Sequence, residues 1–330
     1  MRALCLGIES TAHTFGAAVV SFDGRIASNV RDVYVTETGG IVPARAAEHH
    51  VAVCGDVVAR ALADARVRPR ELALIAYSQS PGLGHCLRIG AMAGRALAAL
   101  LRKPIVGVNH CIAHLEIGRL VTGARDPVML YASGANTQII AFEGGRYRVF
   151  GETLDIGAGN FIDSFARSLG LGFPGGPKIA ELAKKGKTLI PLPYSVKGMD
   201  VAFSGLLTNL QQKAASGRYT REDLAFSLQE HAFAMLIEVA ERAMAHTHKD
   251  ELLLAGGVCC NARLQEMAKT MCAERGARCY IPPSDLLIDN AAMIAWQGIL
   301  EHQAGRQIRL EEADVRPYVR TDEIDVIWRS

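Results

Sequence analysis

The sequence predicts an α/β protein built from two similar halves. Three observations carry this. A strand, a small polar loop and a second strand occur at the N-terminus and again near residue 125. Strand–helix alternation follows each unit, the order that covers a sheet with helices. And 330 residues with 49% apolar and 21% charged side chains have globular composition, at a length that suits two domains or one large one.

The elements read as follows. Residues 3–9 (ALCLGIE) form the first strand, STAHT a polar loop, and FGAAVVSF the second strand. Asp23-Gly24 is a hairpin turn signal, and Ile26 to Tyr34 supplies a third strand. Glu48 to Ala65 carries apolar residues at helical spacing. Residues 71–78 read as a buried strand, Arg88 to Leu101 as a helix, PIVGVNH as a strand and Cys111 to Leu120 as a helix. The pattern then restarts with strand 127–132, loop SGANT, and two strands around Gly144-Gly145. Thr14 and Thr137 mark the same place in each copy; two ordinary hairpins would give the same pattern, so the duplication stays open. Helices are predicted over Phe161–Leu169, Lys178–Lys185 and Glu222–Thr247, then strand ELLLA, helix Asn261–Arg275, strand RCYIPP and helix Asp289–Gln303. The charge-rich tail from Ile308 to Ser330 is expected to pack loosely or as an edge.

Lys plus Arg total 36 against 34 Asp plus Glu, a net charge of +2. That argues against a chain gripping nucleic acid alone through a strongly basic surface. The eight cysteines form no C-x-x-C pair and sit mostly in apolar stretches, as free thiols in a reducing cytosol do. The N-terminal apolar segment is too short for a signal peptide. The longest uncharged runs have 16 residues, short of a membrane span of about 20. A soluble cytoplasmic protein is expected.

His110-x-x-x-His114 places two imidazoles on one helix face, within reach of one metal. Ten histidines at this length give roughly 0.3 such pairs by chance. A zinc protease needs a Glu after the first His as its base; Cys111 stands there. Asp289 can complete a ligand set or simply cap a helix, and Tyr131 can join it or be a core aromatic with its hydroxyl paired. The segments SGANT, GAGNFID, GFPGGPK and LAGGVCCNARL suggest close backbone approach to phosphate or a flat ligand, with turn formation as the plain alternative. No G-x-x-x-x-G-K-[ST] and no G-x-G-x-x-G is present, which disfavours P-loop and Rossmann readings. Glu9 and Asp163 are carboxylates that can contact a cation or hydroxyl, or cap; His13, His49 and His50 read as ordinary polar residues.

Ten segments in order resemble the universal tRNA threonylcarbamoyl-adenosine family. Its archaeal and eukaryotic members are the catalytic subunit of the KEOPS complex, and its bacterial member is TsaD. They include GIESTAHTFG (7–16), AAEHH (46–50), NHCIAHLEIG (109–118), YASGANTQI (131–139), DIGAGNFIDSFAR (155–167), GFPGGPKI (172–179), LAGGVCCNARL (254–264) and IDNAAMIA (288–295). The AHTFG and YASGANTQ wordings look archaeal. The resemblance implies an actin-like ATPase (ASKHA) fold, with RNase H-like halves 1–124 and 125–330 around a nucleotide cleft. The last helix and tail would pack back on the first half.

It implies metal ligands His110, His114, Tyr131 and Asp289 around Fe2+, with Zn2+ as the alternative. It implies contacts to ATP or threonylcarbamoyl-AMP from Tyr131, Ala132, Ser133, Gly134, Ala135, Asp163, Gly176 and Asn261. Glu9 is the candidate catalytic base. The implied activity is tRNA N6-adenosine threonylcarbamoyltransferase, an acyl transfer from an activated adenylate. The implied partners are tRNA, a kinase-like ATPase subunit, a small dimerising subunit and a tRNA-binding subunit. The sequence contains no H-R-D loop and no D-F-G of its own. Two departures stand out. Ala180 occupies the place of a family Glu expected to reach the ribose, with Glu181 beside it. In GGIVPAR, Val42 and Ala44 replace an expected His and Arg. The competing readings are a small-molecule kinase of the same fold, a metalloprotease, and a non-enzymatic scaffold.

Overall fold

The computed structural model describes residues 3–36 and 40–329; Gly39 of the GGIVPAR segment and the terminal residues 1, 2 and 330 fall outside them. The first half lays down β1 (Leu4–Glu9), β2 (Thr14–Ser21), β3 (Ile26–Val33), α1 (Pro43–Ala65), β4 (Leu74–Ser80), α2 (Gly84–Leu101), β5 (Ile105–Asn109) and α3 (His110–Thr122). The second half begins with β6 (Val128–Ala132), β7 (Thr137–Glu143), β8 (Arg146–Glu152), α4 (Ala158–Ser168) and α5 (Gly176–Ala183). A two-residue ribbon, β9 (Val196–Lys197) and β10 (Asp200–Val201), leads to α6 (Ser204–Ala215) and the long α7 (Arg221–Thr247). It closes with β11 (Glu251–Ala255), α8 (Ala262–Arg275), β12 (Arg278–Tyr280), the single turn α9 (Ser284–Leu287) and α10 (Ala291–Gln303).

The duplication left open by the sequence is present in the topology. The first sheet runs β3-β2-β1-β4-β5 and the second β8-β7-β6-β11-β12. In each, the first strand pairs antiparallel with its hairpin partner and parallel with the strand that follows the crossover. The parallel edge also repeats, β4 with β5 and β11 with β12.

Two helices lie between the sheets. Residues 110–118 of α3 are all buried: Cys111, Ile112 and Leu115 pack with Met129, Ile140 and Leu253 of the second sheet, while Ala113 and Ile117 join the core of the first. Although α10 follows the second sheet in sequence, it packs on the first, Ala291 to Ile299 lying among Cys5, Ala18, Ala76 and Val108. Glycine permits the approach: a Cβ on Gly7 would lie 2.3 Å from the Ala291 carbonyl oxygen. Each half therefore lends its last helix to the interface, and the strand ends that carry chemistry face each other across it.

Several boundaries differ from expectation. Helix α1 starts at Pro43, five residues early, because Pro favours the first helical turn. Helix α6 was not expected, since Gly, Thr and Asn in FSGLLTNL weaken its helical signal; Leu206 and Leu210 bury one face of it. Of the two expected modes for the tail, loose packing or an edge, the structure shows the edge, and the tail is tied down, its start against the first half. Ile308 bridges to the sheet edge at Ile105, and the Asp314 carbonyl accepts from Tyr77 Oη at 2.9 Å. The Arg329 guanidinium lies 4.1 Å from the Phe142 ring centroid. A few apolar and aromatic anchors spaced between charges suffice to hold it.

Candidate metal centre and adjoining cleft

Asn109 ends β5 and caps α3, its side chain accepting from the amides of Cys111 (3.0 Å) and Ile112 (3.2 Å). The cap starts the helix at His110, so both imidazoles project from its first turns. Tyr131 ends β6. Asp289 precedes α10, but the cap there is Asn290, which accepts from Met293 N at 3.0 Å. Asp289 is thereby released from the capping role that the sequence left open.

The four side chains converge. His110 Nε2 lies 3.1 Å from Tyr131 Oη and 3.3 Å from Asp289 Oδ1, and His114 Nε2 lies 3.4 Å from the same carboxylate oxygen. Donor atoms around an ion with bonds of about 2.0–2.2 Å sit roughly 2.8–3.6 Å apart in tetrahedral or octahedral sets. The nitrogen and oxygen donors here match that spacing, and ligand atoms of His110, His114 and Asp289 all fall within 4.8 Å of one another. His110 and His114 are closed to solvent, while the Asp289 side chain is 15% exposed, so the centre opens on its side. The residues present fit a metal ion.

Behind His110 stands Glu9, fully buried at the end of β1. Its Oε2 is 3.0 Å from His110 Nδ1, and its Oε1 accepts from the amide (2.6 Å) and hydroxyl (2.5 Å) of Thr11. This carboxylate–imidazole pairing is the arrangement that orients a metal-ligating histidine. Burial opposes protonation of His110, but the Tyr131 oxygen and the Glu9 and Asp289 carboxylates around it outweigh that and hold its pKa well above the usual imidazole value. Burial lowers that of His114. Asp289 stays well below the usual carboxylate range: burial disfavours its charge, and His110 and His114 overcome that. Burial raises the Tyr131 hydroxyl. Concentrated charge of this kind, closed off from water, is typical of ligand sites.

The strand that ends at Tyr131 and Ala132 runs directly into the Ser133–Asn136 loop, where Gly134 and Ala135 are exposed. Backbone is left open at three glycines of the segments that the sequence singled out. A Cβ would meet nothing within 4 Å at Gly176, and nothing nearer than 3.6 Å at Gly134 or 3.9 Å at Gly257. Gly157 and Gly159 instead serve packing. A Cβ on Gly157 would lie 2.4 Å from the Gly134 carbonyl oxygen, so α4 can press against the loop. Its first-turn amides are spent there: Gly159 N donates to Ser133 O at 2.9 Å and Asn160 N to Gly134 O at 2.8 Å. The expected anion site at the start of α4 is therefore filled by the protein's own carbonyls. Asp163 likewise accepts from Gly175 N, just before α5, at 2.7 Å, with its pKa raised by burial. Asn261 caps α8 through Arg263 N at 2.9 Å and donates to Gln229 Oε1 at 2.5 Å. Ala180 is half-buried, and Glu181 is exposed with its carboxylate on Lys184 at 2.6 Å. Val42 and Ala44 are exposed.

Sequence reasoning missed Thr11 and Asn109. Asn before an apolar helix was the available signal for the second; nothing local marked the first.

Two sheets of equal strand order with two helices packed between them define a protein of the actin-like ATPase fold. HypF of T. kodakarensis superposes with a TM-score of 0.65 at 14% identity, over 92% of this chain and 48% of that one. The (R)-2-hydroxyglutaryl-CoA dehydratase component A of Acidaminococcus fermentans gives 0.58 at 14% identity, over 91% and 99%. The family is then plain. The TsaD model, tRNA N6-adenosine threonylcarbamoyltransferase, matches residues 25–296, and the chain belongs to that transferase family. A relative of the same designation from Thermococcus sibiricus is 55% identical over 98% of this chain and all of its own; one from Thermofilum pendens is 51% identical over 100% and 98%. A "Probable bifunctional tRNA threonylcarbamoyladenosine biosynthesis protein" of Methanocaldococcus jannaschii is 50% identical over 98% of this chain and 60% of its own length.

Proposed function

We propose that this chain moves the threonylcarbamoyl group of threonylcarbamoyl-AMP to N6 of the adenosine beside the anticodon, in tRNAs reading ANN codons. The supporting observation is that the donor cluster and the open glycine loop share one strand end: Tyr131 belongs to both. The adenine N6 attacks the carbamoyl carbon, the bond from that carbon to the phosphate oxygen breaks, AMP leaves with the bonding electron pair, and the proton lost from N6 passes to solvent. The acyl group arrives activated, so the chain's task is chiefly orientation and charge stabilisation.

In this reading the backbone at Gly134, Gly176 and Gly257 lets the adenylate lie close, with Ser133 and Ala135 at the phosphate loop and Asp163 and Asn261 shaping the wall. The halves 1–124 and 125–330 are the two lips of the cleft. Fe2+, or alternatively Zn2+, held by His110, His114, Tyr131 and Asp289 would supply a Lewis acid for the carbamoyl and phosphate oxygens. We reassign Glu9 from catalytic base to a positioning residue. Both of its oxygens are engaged, and its place against His110 Nδ1 leaves Nε2 turned to the donor cluster. A protease reading fares worse. Cys111 stands where the base would be, and burial raises its thiol pKa.

The reading includes cytoplasmic KEOPS partners: a kinase-like ATPase, a small dimerising subunit and a tRNA-binding subunit. Among the described residues, no helix is long and apolar enough to cross a membrane. The test is mass spectrometry of tRNA nucleosides after incubation with threonine, bicarbonate, ATP and the partner proteins. Appearance of threonylcarbamoyl-adenosine only when this chain is present is the expected result; its formation without the chain would sink the assignment.

A further inference from the structure

At the far end of α3 from His110 lies a second cavity, of about 540 Å³. It is lined by Glu116 and Arg119 of α3, Arg125 in the turn that follows, Trp296 of α10, and Trp328 and Arg329 of the tail. Arg119 is nine residues beyond His110, roughly 13 Å along the helix axis at 1.5 Å per residue. The volume falls in the range of small-ligand sites.

Its construction points to one chemistry. The two tryptophans of the chain both line it. Glu116, 2% exposed, is used up inside the wall: Oε1 accepts from Trp328 Nε1 at 2.8 Å and from the Tyr147 hydroxyl, and Oε2 accepts from Arg119 at 2.6 Å. The buried carboxylate thus holds one indole and one guanidinium in place and presents no charge to a ligand. Arg329 is held as well, by the Asp126 carboxylate at 3.1 Å and by Phe142. Arg125 differs: it is exposed, and its guanidinium has no ion-pair partner among the described residues. Three guanidinium groups, one of them uncommitted, stand beside two indoles. Indoles bind flat bases by stacking, and a guanidinium binds phosphate.

We propose that this cavity is a subsite for an unstacked nucleotide, its base on the tryptophans and its phosphate on Arg125. It is separate from the cleft at the strand ends. The nucleotide can be free or can belong to a single-stranded part of the RNA substrate; the recognising chemistry is the same.

Trp296 and Trp328 make intrinsic fluorescence a reporter of this site alone. The probes are AMP and a tetra-adenosine ribonucleotide, titrated into the full chain. Both should change the emission saturably, and adenosine and ribose 5-phosphate should each bind at least tenfold more weakly than AMP. Arg125→Ala should raise the Kd of both probes at least tenfold, while Asp163→Ala, in the cleft, should leave them within twofold. Tetra-adenosine binding more tightly than AMP identifies RNA as the source; equal affinity identifies the free nucleotide. No saturable change with either probe, an unaltered Kd in Arg125→Ala, or loss of the response in Asp163→Ala would overturn the proposal. Ribose 5-phosphate binding as tightly as AMP in the unaltered chain would overturn it without any variant.

Discussion

At the end of β1 the first half carries Glu9, and at the matching end of β6 the second half carries Ala132. The same offset of 123 residues that relates Thr14 to Thr137 relates these two. Both positions are fully buried, and both lead into a polar hairpin loop, yet they do opposite work. In the first half the loop turns inward: Thr11 and Ser10 are buried, and Thr11 is bound to Glu9. In the second it turns outward, with Gly134 and Ala135 open to solvent. A small side chain at 132 keeps that strand end neutral, where a buried carboxylate would repel phosphate. Two topologically matching strand ends thus differ: one braces His110 of the candidate metal centre, and the other opens into an exposed loop.

The comparison breaks first at the helix shared between halves. His110→Ala with His114→Ala should abolish both metal content and tRNA modification, read by metal analysis and nucleoside mass spectrometry; full activity would remove the cluster from the mechanism. The brace comes next. Glu9→Gln should weaken metal affinity about 10- to 100-fold, as loss of such partners does elsewhere, with the fold intact by circular dichroism. Glu9→Ala giving no change in affinity would show that Thr11 and burial alone orient His110.

Close packing distinguishes Gly7, at the interface between the halves, from Gly176 at the start of α5. Gly7→Ala drives a Cβ into the Ala291 backbone and should cost about 1–3 kcal/mol in urea unfolding. Gly176→Ala enters open space and should change stability by less than about 0.5 kcal/mol.

Acid should separate two buried histidines. His110 has a raised pKa in the metal-free chain, so a metal must displace its proton, and affinity should fall by up to about tenfold per pH unit below that value. Without metal, the same raised value stabilises the fold below about pH 6.5, and that contribution is lost as pH rises through the folded value. His50, in α1, behaves in reverse: burial, then the neighbouring His49, lower it to about 4. Its contribution is present above pH 6.5 and disappears as pH falls towards 4. Histidine NMR titration with and without Zn2+ reads both; a His110 that titrates normally when metal-free would refute the assigned charge pattern. A modest gain is expected at Ala180→Glu, which places a Glu where the family resemblance expects one. One added hydrogen bond of about 1 kcal/mol should tighten adenosine nucleotide binding about fivefold, measured by calorimetry.

Much of this was legible in order. The repeated hairpins, the alternating strands and helices and the His110–His114 pair all depend on residues close together in sequence, where periodicity and turn chemistry speak. The family motifs named Tyr131 and Asp289 as partners of the pair. What stayed hidden was which of two adjacent polar residues, Asp289 or Asn290, spends itself on the cap, and whether helix-opening glycines present free amides. At α4 they do not, because Gly157 and Gly159 let the helix dock onto the loop and exchange hydrogen bonds with it. No local pattern reports such a docking.

By itself the sequence determined the two strand–loop–strand units, the free thiols, the near-neutral charge and the His110–His114 pair, since each of these is a property of composition or short spacing; Tyr131 and Asp289 came only from the resemblance to the family. Tertiary structure alone decided that α10 crosses to the first sheet and brings Asp289 to His114, 175 residues away. It also decided that Glu9 is a brace, and that both tryptophans meet three arginines at the other end of α3. Long-range contacts of this kind depend on how buried faces from distant segments fit together, which one segment's pattern does not encode.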